Sequence, residues 1–304
     1  MNESIRVPEF DAKQEKPSSG LFKNYINGYG LVVIRNAFNK DNLLPFIESV
    51  TDYYQSLMNE VNKGKTPQLP DYFRYKKTTM SSILMALDPD TRDEYKLATE
   101  TTGNWSQDLE SNTMFAQEIR HSTVWPMISG VVGEKPIVQG SRVRLLPNST
   151  NVDEGAQKGV AFHQEKWPLR NQDVPLGHNL WALLNDGGSV ANEDVPGIQF
   201  ILGDTDFWRQ PIPESEDIYI KKFRSKLLRL NGLCRRSSAN NDELIKIEDT
   251  WVYKPKLKLG DIVFFDHHIP HGSFIPASSI KTRISCELRY FPPDKNFSGL
   301  ALGY

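Results

Sequence analysis

Downstream of residue 135 the chain breaks into short β-prone runs, at 136–147, 159–165, 180–185, 197–202, 250–257, 261–267 and 282–291, with Gly, Pro, Asn and Asp between them. Many short strands with this punctuation build a sandwich or barrel, in which each strand is paired and few edges stay open. Upstream the texture is different. Residues 31–34 (LVVI) read as a buried strand. After Asn39 and Asp41, either of which suits a helix cap, apolar residues from Leu43 to Leu57 recur at three- and four-residue steps. Residues 113–132 again read as helical, with Phe115, Ile119, Val124, Ile128 and Val132 as core positions and Pro126 as a kink or split. Helices first and strands later predict a mainly β domain: a helical layer packed on a double-sheet jelly roll.

The 304 residues, 38% of them hydrophobic, can fill one such core, so a single domain over 1–304 is expected. Residues 1–20 read as a polar leader without the apolar stretch of a signal peptide. Residues 64–112 and 205–249 interrupt the pattern as lid or insert segments. Within the second, 221–236 (KKFRSKLLRLNGLCRR) is basic and reads as a solvated helix, or more sharply as a flap for an anionic substrate. A formal net charge of -2 gives no electrostatic reason to expect nucleic acid or an anionic membrane as partner. No apolar run is long enough to span a bilayer, and the two cysteines, Cys234 and Cys286, form no CxxC pair. A cytoplasmic protein acting on a small molecule is expected, with its oligomeric state unread.

The chemistry concentrates in two places. In 161–167 (AFHQEKW), His163 and Glu165 are two apart on a β-prone run and so project from one face. In 260–274 (GDIVFFDHHIPHGSF), an apolar strand ends in a histidine-rich turn that offers His267, His268 or His271 as a third ligand. Two imidazoles and one carboxylate on one face of a metal leave positions open for substrate and O2, although zinc accepts the same donors. Twelve positions beyond His271, Arg283 opens the last strand (282–291, TRISCELRYF), whose alternation is clean. Arg283, Ser285, Glu287 and Arg289 share one face, and Ile284, Cys286, Leu288 and Tyr290 share the other. Such a polar face is either half-solvated or lines a barrel interior, where an arginine grips a carboxylate bidentately and a serine adds a hydroxyl.

On these residues the chain resembles the phytanoyl-CoA dioxygenase family of Fe(II)- and 2-oxoglutarate-dependent oxygenases, which are built on a double-stranded β-helix. The shared features are His163-x-Glu165, Gly260–Asp261 with Pro270–His271–Gly272–Ser273, the strand 283–291, and Trp181 in 179–186 (NLWALLND). The resemblance implies that His163, Glu165 and His271 hold Fe(2+) and that Arg283 clamps 2-oxoglutarate. It further implies that Trp181 packs beside that co-substrate and that Ser273 and Ser285 assist. With O2, the implied reaction hydroxylates an unactivated C–H and releases succinate and CO2. Glu165 stands where the family more often has Asp, and the presence of a carboxylate argues against the halogenating variants. Leu-Gly-Asp-Thr at 202–205 replaces the family's Pro-Gly-Ser-His turn. Trp167 and Arg289 are the candidate substrate contacts. Two rival readings stay open: a metal-dependent cupin-type enzyme without 2-oxoglutarate, with Arg283 in an ion pair with Glu287, and a non-catalytic jelly-roll binding protein.

Overall fold

Alternation along the last strand becomes two-sidedness in space. The computed structural model describes residues 7–45, 47–48, 109–134, 136–146, 162, 164, 177–185, 195–202, 233–237, 242–246, 252–274 and 283–291. A six-stranded sheet carries β1 (Glu9–Asp11), β2 (Leu31–Arg35), β9 (Ile262–Asp266), β4 (His178–Leu183), β11 (Arg283–Phe291) and β3 (Ile137–Leu146), in that spatial order. A three-stranded sheet carries β10 (His271–Phe274), β5 (Gly197–Ile201) and β8 (Val252–Tyr253). The chain passes from β4 to β5 and β8 in the other sheet, back to β9, across to β10 and back to β11. This is the winding of a double-stranded β-helix, as the sequence led us to expect.

The faces sort the core in two. Toward the helices, Val32, Ile34, Leu180, Ala182, Phe264, Cys286, Leu288 and Tyr290 pack against Phe22 and Ile26 of α1 (Ser19–Tyr29), Phe115 and Ile119 of α2 (Leu109–His121), and Ile128 of α3 (Trp125–Val132). Toward the smaller sheet, Leu31, Val33, Trp181, Leu183, Val263 and Phe265 meet Ile198, Phe200 and Ile269. Each strand thus gives alternate residues to two buried layers, which explains why β2 and β9 read as continuous apolar runs. Pro126 splits the second helical region: α2 ends at His121 and α3 begins at Trp125 with the proline in its first turn, where the missing N–H costs nothing.

Three expectations need amending. The polar leader is partly built into the fold, since β1 pairs in parallel with β2 and Glu9 bonds Arg35 Nε at 2.7 Å. Helix α1 went unread because two glycines and two asparagines dilute its apolar stripe; Ser18 caps it through Leu21 N, and Gly30 closes it at φ 74°. The basic stretch 221–236 is not a helix at its end: Leu233–Ser237 forms β6, hairpinned with β7 (Asp242–Lys246) across an Asn-rich connection. Its earlier residues, like 64–108 and the helix expected beyond residue 48, lie outside the described residues. No described helix is long and apolar enough to cross a membrane.

Candidate functional site

His271 begins β10 and does not hang from a turn. It pairs with Phe200 across the sheet, so its ring enters the interior layer, 5% exposed, with centroids 4.7 Å from Phe265 and 6.2 Å from Phe200. Its Nδ1 lies 3.1 Å from the carbonyl of Ile269. A carbonyl can only accept, so Nδ1 is the donor, and in the neutral ring this leaves the lone pair on Nε2, the tautomer a metal requires. Ser273, two positions on, shares the face of His271 and pairs with Ile198.

The neighbouring histidines make contacts of their own. His267 Nδ1 accepts from Gly177 N at 3.0 Å, and its ring packs edge-on against Phe291. His268 Nδ1 bonds Asp266 Oδ1 at 2.7 Å. Burial pushes the Asp266 carboxyl up, but the hydrogen bonds and charge of His268 outweigh it and hold the group well below the usual carboxylate range. His178 stacks on Phe264 on the helix side of the sheet. Of the three histidines of the turn, His271 is the one whose ring lies between Phe200 and Phe265 in the interior layer.

His163, Glu165 and Trp167 lie outside the described residues. Gln164, between the first two, is 2% exposed and donates from Nε2 to the carbonyl of His268 at 2.6 Å. Gln164 itself thus lies beside the turn that leads into His271. Among the described residues no group of three ligand-type side chains stands together.

The polar face of β11 is interior. Its register sets Ser285 opposite Leu183, Glu287 opposite Trp181 and Arg289 opposite Asn179, all on the layer that meets the smaller sheet. Arg283, 3% exposed, donates from Nη1 to Gly197 O at 2.6 Å, and its guanidinium carbon lies 5.4 Å from the centre of the Trp181 ring. Glu287, which a rival reading pairs with Arg283, bonds Arg289 Nε at 2.8 Å. Arg289, expected at the mouth, is 2% exposed within that ion pair. Ser285 Oγ is buried with no hydrogen-bond partner among the described residues, as are both amide atoms of Asn179. Buried polar atoms are nearly always bonded, so these atoms fit a polar ligand held between the sheets. Asn179 escaped the sequence reading. Its one signal was an amide inside the apolar run HNLWALL.

No family pattern and no curated protein sequence matches the chain. Solved structures do align with it. One is the non-heme alpha ketoglutarate dependent epimerase SnoN from nogalamycin biosynthesis, with 12% identity and a TM-score of 0.48 over 90% of this chain and 83% of that one. The non-heme monooxygenase ThoJ aligns at 14% identity and TM-score 0.48 over 90% and 77%. EvdO2 from Micromonospora carbonacea var. aurantiaca aligns at 12% and 0.47 over 92% and 93%. The fold assignment stands on the strand order of the chain itself.

Proposed function

We propose that the chain is an Fe(II)- and 2-oxoglutarate-dependent oxygenase of the phytanoyl-CoA dioxygenase kind. In this reading His163, Glu165 and His271 are its metal ligands, and Arg283 anchors the far carboxylate of 2-oxoglutarate. The observation that carries this reading is the burial of Arg283 on the inner face of β11. A guanidinium held in the interior beside an indole ring is suited to grip a carboxylate bidentately. The position is also suitable. Arg283 binds Gly197, which pairs with Phe274, three positions along β10 from His271 and so roughly 10 Å away. A five-carbon dicarboxylate bonded to a metal at one end and to a guanidinium at the other covers a span of that order.

Fe(2+) held by these residues would supply, with 2-oxoglutarate and O2, the oxidising power for hydroxylating an unactivated C–H, with succinate and CO2 as co-products. The Ile269 carbonyl bonds Nδ1 of His271 and so leaves Nε2 as the atom that would bind the metal. Arg283 and Ser285 take the distal carboxylate, and Trp181 forms the wall beside its chain. Phe200 and Phe265 exclude water around His271. Ser273 assists at the metal end. Trp167 contacts a small-molecule substrate within a single cytoplasmic domain. The test is succinate release from a panel of small metabolites with iron(II) and 2-oxoglutarate. His163→Ala and His271→Ala are expected to abolish it, and succinate formed by these variants at the parent rate defeats the assignment.

A further inference from the structure

Asn179 and Ser285, whose buried polar atoms find no hydrogen-bond partner among the described residues, are not scattered. Asn179 and Trp181 are successive inward residues of β4, roughly 7 Å apart. Asn179 pairs with Phe265, whose ring touches His271, whereas Ser285 is next to Arg283 on the same face of β11. One orphan therefore marks the His271 end of the interior and the other the Arg283 end, with Trp181 between them.

We propose that Asn179 binds the metal-proximal end of 2-oxoglutarate: its amide N–H donates to the 1-carboxylate, and its carbonyl accepts from a water bound alongside. This rests on the oxygenase reading. The amide is 0% exposed with both polar atoms unbonded among the described residues. Leaving donor and acceptor together in an apolar layer weakens the fold, and a chain that keeps them there without a structural partner is using them on a ligand. A carboxylate suits because it accepts strongly from a buried neutral donor without adding another cation beside the metal. The competing occupant is a structural water held permanently by the amide.

The two occupants differ in what removal of the amide does. Asn179→Leu keeps the size of the side chain and deletes its polarity, and Asn179→Ala deletes both. Apo-protein melting, Mn(II) affinity, and 2-oxoglutarate affinity in the presence of Mn(II) are compared for both variants and the parent. The expected result is an apo melting temperature for Asn179→Leu at or above that of the parent, with unchanged Mn(II) affinity. 2-Oxoglutarate binding should be weakened roughly ten- to a hundred-fold in both variants. A lower melting temperature with unchanged 2-oxoglutarate affinity identifies the structural water and overturns the proposal. So does loss of binding in the leucine variant alone, which is steric, or failure of both variants to fold. If the parent protein itself binds no 2-oxoglutarate, it is the oxygenase reading that falls.

Discussion

Arg283 and Arg289 lie on one face of one strand, yet they are held differently. Arg289 is neutralised by Glu287, whereas Arg283 lies against the Trp181 ring and the Gly197 carbonyl. Arg283→Lys keeps the charge but loses the planar fork and the stacking, so 2-oxoglutarate should bind at least about ten-fold more weakly by calorimetric titration. Gly177 is fixed by close approach: a Cβ there would lie 1.8 Å from the Tyr290 carbonyl oxygen, which is backbone and cannot swing aside. Gly177→Ala should cost about 1–3 kcal/mol or more in denaturant unfolding, because β4 must pull away from β11. Asp266 sets a pH dependence. Its folded-state carboxyl is depressed below the unfolded value, so its contribution to stability is present above the ordinary carboxylate range and is lost as pH falls beneath it. Asp266→Asn should therefore be less stable than the parent at neutral pH, with the difference shrinking in acid, as read by urea unfolding at both pH values.

At the level of elements, the end of β2 and the entry to β9 are tied by one carboxylate. Asp261 accepts from Arg35 Nη1 at 2.8 Å, from Asn36 N at 3.1 Å and from Lys258 N at 2.9 Å, while Arg35 also bonds Glu9 and the Lys256 carbonyl. Asp261→Ala leaves Arg35 and two backbone donors short of a partner. A loss of about 2–4 kcal/mol is expected, visible as a lowered melting temperature. The strands were legible because local pattern determines them: β2, β9 and β11 read as apolar or alternating runs whatever they pair with. Helix α1 was not legible, since its packing against the sheet through Phe22 and Ile26 overrides a weak local preference. The strand β6 was hidden by basic residues that read equally well as the face of a helix.

For the molecule as a whole, two facing sheets turn separate sequence motifs into neighbours. His271 and Arg283 could be picked as candidates from the chain because each stands in a recognisable setting, Pro-His-Gly-Ser and the head of an alternating strand. Asn179 could not, because its neighbourhood depends on the register of β4 against β9 and on a sheet crossing that no local pattern encodes. The same crossing decides that the polar face of β11 looks inward and not to solvent. In the proposed reading one interior holds a metal by His271 and a dicarboxylate by Arg283. The direct measurement is anaerobic addition of 2-oxoglutarate to the iron(II)-loaded protein, followed in the visible spectrum. A weak charge-transfer band that saturates with 2-oxoglutarate, and needs far more of it in Arg283→Ala, is the predicted result. No band at saturating concentrations, or a titration identical in Arg283→Ala, contradicts the account.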